Sequence, residues 1–248
     1  MQARRYEALD TLRGAAIVWM TAFHFCFDLN YFHWLHQNFY ADPFWTWQRT
    51  AIVSLFLFCA GAGQAVAVEQ GQSWSRFWKR WAQVAGCALL VTAGSYAMFP
   101  RSFIYFGVLH GIAVMLLVVR LTAGWGRWLW PAGALALAIK PLAAWAHLQW
   151  PELDFLDNAA WNWLGLIGRK PITEDYVPVF PWLGVMWWGM ATGQWVIAHR
   201  VRWMDLRLAG AGRPLAWLGR WSLSWYMVHQ PVLIGIMTVI ASLVRHAG

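Results

Sequence analysis

Apolar residues run through the chain in long stretches, and polar residues collect in the short intervals between them. Seven stretches approach the roughly 20 residues that an α-helix needs to cross the hydrocarbon core of a bilayer. They are Leu12–Phe32, Ala51–Val68, Trp81–Met98, Phe103–Val119, Trp128–Leu148, Val179–Ala198 and Trp221–Val244. The pattern predicts an all-α, polytopic transmembrane helix bundle of about seven spans, with residues 1–248 forming one integral-membrane domain. The fifth stretch contains Lys140-Pro141 and is expected to be the least regular. A broken or re-entrant helix is tolerated there only where protein or water covers the freed backbone. Neither an internal repeat nor a low-complexity tract is visible.

Composition agrees with this reading. The chain is 60% hydrophobic and 12% charged, with 22 tryptophans in 248 residues, and a soluble domain of that length needs more charge to cover its surface. The net charge of +8 does not imply a nucleic-acid partner, because the basic residues flank apolar stretches and read as topology signals.

With the N-terminus inside, the inner segments collect Arg4, Arg5, Arg13, Arg76, Lys79, Arg80, Arg120, Arg127, Arg200, Arg202, Arg207, Arg213 and Arg220. The outer segments hold Arg49, Arg101, Arg169, Lys170 and Arg245, a bias of 13 against 5 with Lys140 left in the membrane. The positive-inside rule then predicts N-in, C-out. The acids Asp42, Glu152, Asp154, Asp157, Glu174 and Asp175 fall outside, five of them in the loop 149–178. A loop of that length is often functional. Its Trp161 and Trp163 suit either a carbohydrate or an anchor at the membrane interface.

The N-terminus resembles a signal peptide, but Arg13, His24 and Asp28 interrupt its apolar core and no small-residue cleavage site follows. It is expected to remain as the first helix. Cys26, Cys59 and Cys87 all lie in apolar stretches, so no disulfide framework is expected.

The first stretch also carries the candidate chemistry. At about 100° per residue, with Asp10 at zero, Arg13 falls near 300°, His24 near 320° and Asp28 near 0°. The four ionisable groups share one stripe, which should face a bundle interior or aqueous cavity, because a lipid-facing charge costs about 2.5–3.5 kcal/mol. His110 in YFGVLHGIAV and His229 in WYMVHQPV fall at comparable depth. There, Pro231 opens the carbonyl of Met227. Ionisable residues inside a membrane are functional candidates, although each histidine alone is equally well explained by a bond to a neighbouring helix.

No metal is expected, since only His24/Asp28 at i, i+4 approaches a ligand spacing. No G-x-S-x-G elbow is present for a serine hydrolase. The GAGRP stretch at residues 210–214 reads as a turn between helices rather than a phosphate nest.

The opening RRYEALDTLRGAAIVWMTAFHFCFD resembles that of the membrane acyltransferases related to heparan-α-glucosaminide N-acetyltransferase. The likeness continues through SLFLFCAGAG, YFGVLHGIAV, DYVPVFPWLGVMWWG and WLGRWSLSWYMVHQP. The Arg13-x10-His24 spacing is similar to the signature of type-three membrane acyltransferases, in which the histidine is taken as catalytic and the arginine as supporting the acyl-CoA side. The likeness departs at His24: the lysosomal member has asparagine there and its functional histidine lies further on, where this chain has His33 and His36. His24 is ranked first as the catalytic residue and His36 second.

The resemblance implies transfer of an acyl group, expected to be acetyl, from cytoplasmic acyl-CoA to a sugar amine or hydroxyl on the outer side of the membrane. It implies acceptor contacts from His110, Asp175, Tyr176, Trp182, His229 and Gln230. The expected setting is the inner (plasma) membrane of a bacterium, with the bilayer, acyl-CoA and a glycan or amino sugar as partners and a homodimer left open.

The residues suit that chemistry. A histidine with an ordinary pKa near 6.5 can take the proton that an attacking amine or hydroxyl must lose. Asp28, one turn beyond His24, is positioned to orient the imidazole or else to sit as a helix-end charge at the interface. Arg13 is suited to grip phosphate oxygens, helped by Arg76, Lys79, Arg80, Arg213 and Arg220, or else to pair with Asp10 as an anchor. The competing class is a proton-coupled transporter or exporter, which also uses buried His and Asp. The short chain without inverted repeats counts against it.

Overall fold

The computed structural model describes residues 6–199 and 212–247. Arg4, Arg5, Arg200, Arg202 and Arg207 of the charge bias lie outside the described residues, as do Gly210 and Ala211 of the glycine-rich stretch.

The protein is all-α. Its helices are α1 (Glu7–Tyr31), α2 (Pro43–Glu69), α3 (Trp74–Met98), α4 (Val108–Leu121), α5 (Leu129–Gln149), α6 (Val179–Ala198), α7 (Gly212–Arg220) and α8 (Ser222–Ala247). Three apolar helical stretches are long enough to cross a membrane, Pro43–Glu69, Ala123–Gln149 and Ser222–His246. Leu89, Leu90, Leu135, Ile236 and Leu243 point outward and exposed, which fits a hydrocarbon surrounding rather than water.

Three expectations are corrected. The fourth apolar stretch is helical only from Val108, and α4 has 14 residues, about 21 Å of rise, because Phe103–Gly107 is drawn into loop pairing. The fifth is one helix of 21 residues through Pro141, so Lys140-Pro141 does not break it. Residues Gly212–Pro214 open α7 instead of forming a turn, with proline in the first helical turn, where its missing N–H costs nothing.

The described residues divide into two compact units, residues 6–56 with 212–247 and residues 57–199. In the first unit α1 packs against α7 and α8. Gly14 lies directly on the backbone of Leu215, and Gly219 on the backbone of Asp10. Small residues at these points let two helix backbones touch. Farther along α1, Ile17, Met20 and Phe23 form a buried cluster with Phe39, Trp45 and Ile52, and Leu218 and Tyr226 pack on it. Phe39 stacks on Trp45 at 4.1 Å between ring centroids, which folds the loop 32–42 back over the end of α1. That loop is pinned by Asn30 Oδ1, which accepts from Gln37 N at 2.7 Å.

In the second unit α3 packs on α4, and α6 on α4 and α5. The segment before α4 is held by the connection that precedes α6. Val177 N donates to Phe106 O at 3.2 Å, Glu174 N to Ser102 O at 2.9 Å, and Thr173 Oγ1 to Phe103 O at 2.8 Å. These bonds give the loop backbone the partners that a longer α4 would otherwise supply.

The helix contacts yield a test of sign. Alanine normally stabilises a helix interior by up to about 1 kcal/mol over glycine, and Gly94 on α3 faces open space. Gly94→Ala should leave the melting temperature unchanged or raised. Gly219→Ala should lower it, since the added methyl meets the backbone of Asp10 and overpacking costs about 1–3 kcal/mol. Thermal unfolding in detergent compares the two, and equal shifts would mean that α1 and α7 are not in backbone contact.

Candidate active site

The ionisable stripe of α1 meets partners in α7 and α8, all within the first unit. At the N-terminal end Asp10 is buried at 3% exposure. Its Oδ1 accepts from Arg13 Nη1 at 3.3 Å, and its Oδ2 lies 3.8 Å from Arg220 Nε. One carboxylate therefore gathers two guanidinium groups. Arg213 is exposed one residue into α7. Arg76, Lys79 and Arg80 are exposed on the first turns of α3, in the other unit.

The C-terminal half of α1 makes two polar rungs with α8. His24 Nδ1 stands 2.7 Å from His229 Nε2. The ring centroids are 5.0 Å apart and the planes 11° apart, which is the N···N distance plus the two ring radii, so the rings meet edge to edge. One turn on, Gln230 Nε2 donates to Asp28 Oδ1 at 2.7 Å. Asp28 Oδ2 and Gln230 Oε1 are buried and receive no hydrogen bond among the described residues. A buried acceptor without a donor forfeits about 1–3 kcal/mol, so this rung has acceptor capacity left over.

The partners differ from those expected. Asp28 bonds Gln230 and makes no hydrogen bond to His24; the partner of His24 is His229. His229 is buried, and its Nδ1 faces the carbonyls of Tyr226 at 2.8 Å and Trp225 at 3.2 Å. These are the two carbonyls before the one that Pro231 frees. With both nitrogens engaged, His229 has none left for an acceptor. His36 is exposed in the loop 32–42 and makes no hydrogen bond or ring contact with His24 or His229. Among the described residues no hydrogen bond holds its imidazole.

His110 and the loop residues form a separate structure in the second unit. Thr92 Oγ1 donates to Ile104 O at 2.8 Å, so it accepts from His110 Nε2 at 3.0 Å. His110 Nδ1 then accepts from Gly107 N at 3.3 Å. Both nitrogens are used in closing the N-terminus of α4. Asp175 Oδ2 accepts from Val108 N at 2.7 Å, where a carboxylate also meets the positive end of the helix dipole. Tyr176 donates to Asn162 O at 2.6 Å. Burial, with Tyr105 and Asp157 nearby, pushes its phenol above the ordinary range, so it stays a donor. Trp182 is half-buried in the first turn of α6. Asp175 and Tyr176 tie the connection to the segment that opens α4, whereas the resemblance implied acceptor contacts.

One group among the described residues has metal-ligand geometry. His147, Asp154 and Asp157 place ligand atoms within 4.8 Å of one another. Their charge is already answered inside the loop: Asp157 Oδ1 accepts from Gly168 N and Arg169 N, and Arg169 lies 3.6 Å from Asp154. Cys26, Cys59 and Cys87 are free thiols.

The family model described as heparan-alpha-glucosaminide N-acetyltransferase, catalytic, matches residues 5–231. The chain belongs to that family. No curated protein and no solved structure matches it. With three helices able to span a bilayer, it is an integral membrane protein, and its family makes it a transferase of the acetyltransferase type. The matched residues include both rungs between α1 and α8.

The α4 cap separates structural from chemical roles. His110→Ala and Asp175→Ala should each lower stability by about 0.5–2 kcal/mol, the usual loss on removing a helix cap. The folded fraction, measured by size exclusion alongside thermal unfolding, should keep its turnover. Full stability with lost turnover would instead make them acceptor residues.

Proposed function

We propose that this protein carries an acyl group, acetyl in the first instance, from acyl-CoA on the inner side of the membrane to a sugar amine or hydroxyl presented from the outer side. The observation that supports this is the layout of α1. A single unbroken helix holds the Asp10–Arg13–Arg220 cluster at one end and the His24–His229 and Asp28–Gln230 rungs at the other. From Arg13 to His24 the helix rises about 16 Å, comparable with the reach of a pantetheine arm.

In this reading the guanidinium groups of Arg13 and Arg220 hold the donor's phosphates, and Arg213, Arg76 and Arg80 remain candidates from the charge bias alone. Bidentate N–H donors match phosphate oxygens. At the other end, Asp28 Oδ2 and Gln230 Oε1 accept from the incoming amine or hydroxyl. His24 takes its proton as the nucleophile attacks the thioester carbonyl; the C–S bond breaks, and the proton passes from His24 to the departing thiolate. The products are the acylated sugar and CoA, with the enzyme unchanged. The seven-span, N-in and C-out arrangement in a bacterial inner membrane, with the loop 149–178 outside, gives donor and acceptor their separate sides. The Arg13-x10-His24 spacing is then the distance between donor anchor and base.

The test is thiol release from acetyl-CoA by protein reconstituted with a panel of amino sugars. His24→Ala should lower turnover by about 10²–10⁴-fold in folded protein, and Asp28→Asn by less. Arg13→Ala should chiefly raise the KM for acetyl-CoA, with partial recovery in Arg13→Lys. Wild-type turnover in His24→Ala alongside inactive His36→Ala would move the chemistry to the loop. For sidedness, single cysteines in the loop 149–178 should react with an impermeant thiol reagent from the outer face; labelling only from the cytoplasm would reverse the topology.

A further inference from the structure

We infer that His229 is a positioning residue: it holds His24 in the tautomer that carries its proton on Nδ1, so that Nε2 is the atom that accepts a proton. The inference rests on the catalytic reading of His24 and adds which nitrogen acts and why.

The assignment follows from counting protons. His229 Nδ1 faces two backbone carbonyls of its own helix, Tyr226 O at 2.8 Å and Trp225 O at 3.2 Å. A carbonyl oxygen only accepts, so this nitrogen must carry the hydrogen. Turning the ring over would set carbon against these carbonyls and against His24, losing every one of these bonds. When neutral, an imidazole has one N–H, so His229 Nε2 bears a lone pair. That lone pair lies 2.7 Å from His24 Nδ1, and two lone pairs cannot occupy that separation. His24 Nδ1 therefore donates, and the lone pair of a neutral His24 is on Nε2. The neutral pair has no second arrangement that keeps all its hydrogen bonds.

Rigidity supports the same role. His229 is buried at 6% exposure, anchored at its far nitrogen to helix backbone rather than to a movable side chain. The near-coplanar rings, 11° apart, point the shared hydrogen along the line between the nitrogens. When His24 takes a proton at Nε2, its Nδ1–H keeps the same bond to His229, so no group has to reorient during the step. A carboxylate does this work in a Ser-His-Asp triad; here a second imidazole, neutral in an apolar surrounding, takes that place. Asp28 is free for the acceptor because His229 orients His24.

The experiment uses the full-length protein in nanodiscs labelled with ¹⁵N-histidine, with the His24 signals identified by their loss in His24→Ala. In the wild type above the titration of the pair, His24 should show protonated Nδ1 and bare Nε2. His229→Met, similar in bulk but without a strong acceptor, should lose that preference and lower the turnover of acetyl-CoA with glucosamine as the probe acceptor by about 10²-fold, with the KM for acetyl-CoA unchanged. His229→Glu, whose ionised carboxylate can only accept, should restore the Nδ1–H tautomer, at a pH where that carboxyl is ionised, and bring turnover to within about tenfold of wild type. A wild-type His24 protonated on Nε2 would overturn the inference, as would an unaltered tautomer and turnover in His229→Met. The tautomer is read without acyl transfer, so inactivity of the whole series would count against the proposed function and not against the pair.

Discussion

Four ionisable side chains on one apolar helix have to be matched by partners wherever they are buried, because a buried charge or polar group without a partner is costly. In this protein the matching is done by the backbone contact of α1 with α7. Where Gly14 meets Leu215 and Gly219 meets Asp10, the helices are close enough for Arg220 to reach the Asp10 carboxylate. α8, which begins two residues after α7 ends, is then brought against the rest of the α1 stripe. The rungs His24–His229 and Asp28–Gln230 are consequences of that approach. A side chain inserted at Gly219 would separate the helices by more than a hydrogen bond can bridge.

The polar contacts along α1 differ in kind. In the Asp10 cluster a buried carboxylate is met by the guanidinium groups of Arg13 and Arg220. In the neutral pair the histidine rung is internally complete except at His24 Nε2. The Asp28–Gln230 rung is incomplete on both sides, with two buried oxygens lacking donors. Guanidinium groups, an imidazole and unsatisfied acceptor oxygens thus follow one another along about 30 Å or less of helix. The proposed transfer from a phosphate-bearing donor to an N–H or O–H nucleophile uses the groups in that order.

In the second unit the polar residues around the N-terminus of α4 are consumed by structure. α4 is short, and its exposed N-terminal amides have to be satisfied. His110, Asp175 and the strand-like pairing of Phe106 with Tyr176 do so. A histidine between glycines in an apolar stretch looks the same in sequence whether it serves a helix cap or a ligand; Thr92, 18 residues away, decides it by leaving the His110 Nε2–H an acceptor and Gly107 N a lone pair.

The helical class, the apolar exterior and the stripe on α1 were legible from sequence because they depend on short-range periodicity and composition, which any helix of that sequence expresses. The alignment of His24 with Arg13 and Asp28 on one face was legible for the same reason, since it follows from 3.6-residue geometry alone. The family resemblance supplied the reaction class. Pairing was not legible. That His24 is held by His229 and Asp28 by Gln230, across 205 and 202 residues of chain, depends on which helix faces are brought together, and that is set by two glycines whose role is the absence of a side chain. Helix ends were misread where tertiary bonds compete with local propensity, as at Phe103–Gly107, or where a proline is accommodated, as at Pro141. Local sequence determined which groups lie on each helix face; the approach of the helices alone determined which of those groups keep an unshared lone pair.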